Sequence, residues 1–316
     1  MNIFVTGGAG FIGSCFVRMT AAKDGWKVTN FDKLTYAASL ENVASVADLP
    51  NYTFVQGDIC DTDAVREALP RDCDAIVHFA AESHVDRSIA GASEFIRTNV
   101  LGTQVLLDAA REKGVKRFLY VSTDEVGGSI PVPDLFSESD ALSPNNPYAA
   151  SKAAGEHLVR AAGHTHGMNV VITRSSNNYG PCQYKEKLIP LAITNALQDK
   201  PVPVYGDGLQ QRDWIYVDDN CEAILAVLER GTSGATYHIG AEYATPNILI
   251  LREVLRLLGK PVSLLTQVAD RPGHDRRYAI DTGLIRQQLD WHCHYSLPMG
   301  LENTVYWYKE HAGTSV

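Results

Sequence analysis

Short apolar runs recur along the first half of the chain, and stretches with helical spacing separate them. Runs at 2–6, 28–31, 52–55, 75–79, 118–122 and 170–173 read as buried strands. Helical patterns fill the intervals at 11–22, 62–69 and 92–113, and a further helix is predicted after Pro147, over roughly 148–165. Strands that are apolar on both sides and alternate with helices predict a parallel sheet covered on both faces. Right-handed crossovers then make it an α/β doubly wound fold, with the ligand at the C-terminal strand ends. After about residue 175 the rhythm changes. Pro181, Pro190, Pro201, Pro203 and the Tyr205-Gly206-Asp207-Gly208 turn interrupt it, and shorter helices are expected there. The pattern predicts a first domain over 1–174, to which 213–242 returns, and a smaller α/β domain over 175–316 that carries a second ligand. Residues 312–316 are expected to fray.

Composition narrows the function without naming it. The chain has 316 residues, 45% hydrophobic and 21% charged, which suits a soluble globular protein with a sizeable core. Its formal charge of −9 disfavours nucleic acid and anionic membranes as partners, because neither polyanion is attracted at long range. A small anion held by a local basic patch stays open. No apolar run reaches membrane-spanning length, and Met1 to Thr6 shows no secretory leader. The six cysteines are scattered without a CxxC pair, as expected of free thiols in a reduced cytoplasm. His292-Cys293-His294 is compact, but neighbouring residues on a strand point apart and no second cluster lies near, so no metal is expected.

The first candidate site follows the first strand. Gly7, Gly10 and Gly13 give a G-x-x-G-x-x-G turn that opens a helix. Glycines allow a tight turn and close approach of a diphosphate, and the helix N-terminus supplies amide donors. The spacing alone also fits a structural turn. Its context separates the two, because Asp32 ends the second strand about 20 residues beyond Gly13, where a carboxylate holds the adenosine ribose hydroxyls. That carboxylate repels a 2′-phosphate and favours NAD over NADP, a preference that Lys33 weakens. Asp58 and Ile59, at the end of the third strand, are placed to meet the adenine.

A second constellation carries chemistry. Tyr148 and Lys152 stand at i, i+4 and share one helix face. A nearby ammonium is expected to lower the tyrosine pKa, so that the phenol can take a proton from a hydroxyl whose carbon gives up hydride. Thr123, Asp124 and Glu125 end the strand at 118–122, on the active edge of such a sheet. Two adjacent carboxyls exceed the needs of a plain alcohol dehydrogenase and point to further proton transfers, with one as base and one as acid. The chain must bend at Asp124 for both to face one substrate.

These residues resemble the extended short-chain dehydrogenase/reductase superfamily with its Rossmann domain, and within it the NAD-dependent dTDP-glucose 4,6-dehydratases. The segments that carry the resemblance are TGGAGFIGS at 6–14, FDKLTYA at 31–37, QGDI at 56–59, FAAESHVDRS at 79–88, TNVLGTQ at 98–104, STDEV at 122–126, YAASK at 148–152, SNNYGP at 176–181, EKLIP at 186–190, VYGDG at 204–208, RDW at 212–214, VDD at 217–219 and DRPGHDRRYAID at 270–281. The resemblance implies NAD contacts from Gly7, Gly10, Phe11, Ile12, Gly13, Asp32, Lys33, Leu34, Thr35, Asp58, Ile59, Ala80, Ala81, Ser83, Thr98, Tyr148 and Lys152. It implies nucleotide-sugar contacts from Ser83, Arg87, Thr123, Asn177, Lys187, Leu188, Pro203, Tyr205, Arg212, Asn247, Arg271 and His274. Arg212 and Arg271 suit a diphosphate, because guanidinium forks match phosphate oxygens.

The implied reaction converts dTDP-glucose to a 4-keto-6-deoxy sugar. Tyr148, assisted by Lys152 and with Thr123 on the hexose O4, accepts the C4 hydroxyl proton as hydride leaves C4. Glu125 removes the C5 proton, Asp124 protonates the departing C6 hydroxyl, and hydride returns to C6. Cofactor regenerated in every cycle implies tight retention. The resemblance also implies a homodimer built on the helices at 92–113 and 148–165. Departures from the pattern are Gly127 where tyrosine is usual, Ser175, Lys185, Gln210-Gln211 and Tyr216. Gly127 is expected to enlarge the hexose pocket. The departures make cofactor and reaction type firmer than substrate identity. A UDP- or CDP-linked hexose, an NDP-sugar 4-epimerase or decarboxylase, and a non-catalytic NAD sensor are the alternatives.

Overall fold

The computed structural model describes residues 1–312, so the fraying expected at 313–316 lies outside the described residues. In chain order the strands are β1 (Asn2–Thr6), β2 (Lys27–Asp32), β3 (Tyr52–Gln56), β4 (Ala75–His78), β5 (Arg117–Thr123), β6 (Val170–Ser175), β7 (Asn177–Tyr179), β8 (Val202–Tyr205), β9 (Gln211–Tyr216), β10 (Thr236–Ile239), β11 (Ala244–Pro246) and β12 (Leu265–Val268). Seven of them form one sheet in the order β10-β6-β5-β4-β1-β2-β3, parallel throughout. From β1 the order runs one way through β2 and β3, and the other way from β4. The crossovers therefore diverge at β1 and β4 and leave a crevice at their C-terminal ends.

Alternation along the strands builds two cores. Ile3, Val5, Val77, Leu119 and Val121 face the helices Phe11–Ala21 and Val217–Arg230. Phe4, Ile76, Phe118 and Tyr120 face Thr103–Lys113 and Pro147–His166. Successive side chains of a strand point to opposite faces, so each short apolar run serves both layers. Beyond β6 a three-stranded sheet, β11-β9-β7, and a pair, β12-β8, surround a third core. Helices Leu188–Leu197, Asn247–Leu258 and Leu297–Glu310 cover it.

Two expectations change here. The predicted helix over 92–113 is helical, but 97–102 winds as a π-helix between Ser93–Ile96 and Thr103–Lys113. Such wide turns recur at functional sites. This one holds Asn99, whose amide donates to Glu82 O and Ser151 Oγ while its oxygen accepts from the Glu82 N–H. Helices after residue 175 are also not short, since Val217–Arg230 and Leu297–Glu310 each run 14 residues. Prolines there start helices as often as they stop them. Pro190 and Pro298 occupy first turns, where a missing N–H removes no intrahelical bond.

One buried ion pair ties the long helix to the sheet. Arg174 Nε in β6 donates to both Glu156 carboxylate oxygens at 3.0 and 3.2 Å, and its Nη2 donates at 2.9 Å. Both side chains are essentially inaccessible. Phe136 covers the pair, lying 5.2 Å from the Arg174 guanidinium and stacked on His238. Removing one partner of such a pair leaves an uncompensated buried charge. Glu156→Leu is therefore expected to lose about 3–5 kcal/mol in urea unfolding, and the double change with Arg174→Met is expected to recover most of it.

Candidate active site

The glycine turn packs tightly enough to require its sequence. Gly7 has φ +72, and a Cβ there would lie 2.6 Å from the Ala80 backbone nitrogen. A Cβ on Gly13 would lie 2.2 Å from Gly7 O. The helix that follows has no side-chain N-cap and no acidic residue in its first turn, so its amide end is open to an anion. Asp32 is buried, with Oδ2 accepting from the Ala9 N–H at 2.9 Å and Oδ1 from the Leu34 N–H at 2.8 Å. Burial raises its pKa against those two donors. Asp58 is held below the ordinary range: desolvation pushes it up, but the Cys60 N–H and the Lys33 ammonium at 2.9 Å outweigh that push.

A cavity of about 310 Å³ runs along this turn. Gly7, Gly10, Phe11, Ile12 and Gly13 line it, with Asp32 at the end of β2, Lys33 and Thr35 just after it, and Asp58 and Ile59 after β3. Ala80, Ala81 and Ser83 after β4, Thr98 of the wide turn, and Thr123, Asp124, Glu125, Tyr148 and Lys152 line it as well. A second cavity of about 160 Å³ is lined by Lys187, Leu188, Pro203, Tyr205, Arg212, Asn247, Arg271 and His274. Glu125, Asn177 and Lys187 line both. Leu34 and Arg87 line neither. Leu34 sits at φ +57 and contributes its amide to Asp32. The Arg87 guanidinium lies over the Tyr36 ring instead.

The carboxyl pair sits on a bend. Thr123 ends β5 and caps a 3₁₀ turn over Asp124–Gly127, its Oγ1 accepting from the Glu125 N–H at 3.3 Å and donating to Asp124 Oδ1 at 3.2 Å. Asp124 is 3% exposed, and its Oδ2 has no hydrogen-bond partner among the described residues. Burial, then the Glu125 and Asp213 carboxylates, push its pKa well above the carboxylate range despite Arg212. Glu125 is half-buried, and its Oε2 accepts from Asn146 Nδ2 at 3.2 Å and from the Tyr278 hydroxyl at 3.5 Å. The two neighbours thus occupy different settings, one a dry pocket and one a hydrogen-bonded cleft wall.

The tyrosine and lysine differ from expectation. The Tyr148 pKa is raised, not lowered, because desolvation and the Glu125 and Asp124 charges outweigh the Thr123 hydrogen bond. Lys152 is buried, donates from Nζ to Val121 O at 2.6 Å and lies 4.2 Å over the Tyr120 ring. Burial pushes it down to about 7, against the pull of Glu156. Its ammonium is spent on a carbonyl and a ring face, not on the phenol.

In the second cavity Arg212 donates to Gln211 O and Asp275 O, at 2.7 and 2.9 Å, and stacks 4.2 Å over Tyr278. Arg271 pairs with Asp86 at 3.3 Å, and its buried Nε has no hydrogen-bond partner among the described residues. His274 Nδ1 meets Asp270 Oδ1 at 2.6 Å, and burial lowers the His274 pKa. Lys187 is likewise lowered by desolvation.

The Gly127 expectation is overturned. A Cβ at 127 would lie 2.6 to 2.7 Å from three ring atoms of Phe136. That ring fills the space beside the turn, and Gly127 lines neither cavity, so the missing side chain does not enlarge them. Among the departures, Ser175 lines the first cavity and Gln210 the second, while Lys185, Gln211 and Tyr216 line neither. Sequence reasoning missed Asn146, Tyr278 and Gln183. Asn146 was legible as an N-cap before Pro147, and its side chain caps Ala149. Tyr278 lies inside DRPGHDRRYAID, and no periodicity marks Gln183, which lines both cavities.

Residues 4–304 match the family described as GDP-mannose 4,6 dehydratase. A dTDP-glucose 4,6-dehydratase of Streptomyces niveus is 50% identical over 315 residues, 98% of this chain and 93% of that protein. The chain belongs to the dTDP-glucose 4,6-dehydratase family. A family member from Streptomyces venezuelae, solved with NAD bound, matches with a TM-score of 0.96 at 48% identity, covering 99% of this chain and 98% of that one. The UDP-glucose 4-epimerase of Thermus thermophilus, a complex with NAD, shares the fold at a TM-score of 0.92 but only 28% identity, with all of both chains covered.

The Asp124 setting has a measurable sign. A carboxyl with a raised folded pKa binds its proton more tightly when folded, so it opposes folding once pH rises past the unfolded value. Asp124→Asn is expected to raise the melting temperature at neutral pH and to lose that advantage below about pH 4, as thermal unfolding across pH would read.

Proposed function

We propose that the protein converts dTDP-glucose to dTDP-4-keto-6-deoxyglucose, a hydro-lyase reaction of deoxysugar biosynthesis with NAD as cofactor. The observation that carries this reading is the bend at β5. It places a buried Asp124 and a half-buried Glu125 in one cavity with Tyr148 and Lys152. Oxidation at a carbinol needs only the tyrosine, lysine and threonine. Removing water from neighbouring carbons needs an acid and a base as well.

The residues fit the cofactor. The open helix end behind Gly7, Gly10 and Gly13 suits a diphosphate, Asp32 suits the ribose hydroxyls, and Asp58 and Ile59 suit the adenine. When bound, NAD supplies the centre that accepts a hydride from the sugar and returns it. Once ionised, Tyr148 takes the C4 hydroxyl proton, with Thr123 on O4; its pKa is raised in this site, so the positive nicotinamide ring that NAD would bring is what would favour the phenolate. Glu125, steadied by Asn146 and Tyr278, removes the C5 proton and later returns one. Asp124 gives its proton to the C6 hydroxyl as water leaves, which its raised pKa allows. Arg271, Arg212 and Lys187 line the second cavity and offer cationic donors to the nucleotide diphosphate, among carboxylates from Asp86, Glu125, Glu186 and Asp275.

The same reading divides the chain into a dinucleotide part, 1–174 with 213–242, and a nucleotide-sugar part over the rest of 175–316. Support for the return comes from β10, which pairs with β6, although β9 through Tyr216 stays in the small sheet. A cytoplasmic location fits the six free cysteines. A homodimer fits Ile89, Ile96 and Leu101, which are 39, 57 and 51% exposed around the wide turn beside the long helix. Sedimentation is expected to give twice 34.6 kDa, and Ile96→Glu with Leu101→Glu is expected to give monomer.

The decisive assay is the mass of the product. dTDP-glucose is expected to lose one water, and a product of unchanged mass with C4 inverted overturns the reading. Preferred turnover of UDP- or CDP-glucose would move the nucleotide assignment alone. In deuterated water, Glu125→Gln is expected to cut exchange at C5 by roughly 100-fold or more. Asp124→Asn is expected to slow water loss more than that exchange.

A further inference from the structure

Three segments meet across the first cavity, chiefly through residues that the chemistry does not use. The Tyr36 hydroxyl, on the segment after β2, donates to Glu186 Oε1 at 3.0 Å. The Arg87 guanidinium, from beyond β4, lies 3.6 Å from the centre of the Tyr36 ring and 3.6 Å from Glu186 Oε2. His84 Nε2 lies 3.7 Å from the same oxygen. Tyr184 meets the Tyr36 ring edge-on at 5.4 Å, and Lys187 Nζ donates to Ser83 O at 2.8 Å. Thr35 and Ala37 line the cavity on either side of Tyr36, and Tyr184 and Glu186 line it from the segment that leads into the helix Leu188–Leu197. The Tyr36–Glu186 bond therefore joins two walls that are about 150 residues apart in sequence.

We infer that Tyr36, Arg87 and Glu186 form a latch across the dinucleotide cavity and act as positioning residues that set how long the cofactor stays. The inference rests on the NAD reading above. Glu186 is the hub. Its side chain is 15% exposed and faces a phenol, a guanidinium and an imidazole. Desolvation and the Glu186 charge hold Tyr36 in its phenol form, which keeps it a donor. Arg87 then has a role without touching substrate, because it covers one face of the ring and faces the carboxylate. A hydrogen bond to a charged acceptor in a partly dry setting is among the stronger ones, so opening the two walls means breaking it.

The test measures cofactor release directly. Protein loaded with NAD is freed of excess by gel filtration and diluted, and bound NAD is quantified against time by chromatography after acid release. Tyr36→Phe and Glu186→Gln are each expected to speed release about tenfold, the scale of one such bond. The double variant is expected to release no faster than the faster single, because both changes remove the same bond. Parent-like release from Tyr36→Phe overturns the latch, and so does a double variant about a hundredfold faster. A parent that retains no NAD overturns the assignment of the cavity, and the latch with it, which is a different result from retained NAD with unchanged release.

Discussion

The helix Pro147–His166 cannot slide on the sheet, because a carboxylate and a guanidinium with no access to water lock it there. Tyr148, Lys152 and Glu156 are spaced by four, so they share one face. Glu156 grips Arg174 in β6, Lys152 donates to Val121 O in β5, and Gly155 lets the helix approach the Tyr120 hydroxyl, which a Cβ would meet at 2.2 Å. Three successive contacts on two adjacent strands fix both the rotation and the height of the helix. The Tyr148 phenol is thereby held against the turn that carries Thr123, Asp124 and Glu125, without depending on a flexible loop.

That rigid frame suits the opposite roles proposed for two adjacent residues. On an extended strand Asp124 and Glu125 would diverge. The 3₁₀ turn capped by Thr123 brings both to one cavity, yet leaves them in unequal surroundings. Asp124 has almost no exposure and an unpartnered oxygen. Glu125 has an amide and a phenol to donate to it. Unequal solvation separates an acid from a base more reliably than sequence identity does, since both are carboxyls.

The parts of the structure that were legible in the sequence are those governed by local periodicity. Six of the seven strands of the main sheet, the glycine turn, Asp32 at the end of β2 and the i, i+4 pair follow from residues close together in the chain, whereas β10 was not read as a strand. The parts that were not legible depend on distant partners. Phe136 fills the place beside Gly127, nine positions on, so a lost side chain enlarges nothing. The wide turn at 97–102 reflects an asparagine clamped to Glu82 and Ser151. The tyrosine pKa follows desolvation and two carboxyls, and the lysine four residues away turns to a carbonyl. In each case a pairwise rule was right about proximity and silent about the third group.

The same separation of scales bears on the cofactor cavity. A reaction that returns its hydride to the same sugar leaves the dinucleotide as it found it, so turnover demands no exchange of that ligand. A dehydrogenase that releases a reduced cofactor every cycle would be slowed by a bond joining the walls of its binding site. An internally balanced reaction is not slowed, and nothing in its kinetics opposes tying the segment after β2 to the segment before Leu188. On the proposed reading the sugar nucleotide takes the other cavity, lined by Arg212, Arg271 and Asn247, which shares Glu186 with the first. The two ligands can therefore have very different residence times in one continuous cleft, with Glu125 and Lys187 at the point where their cavities join.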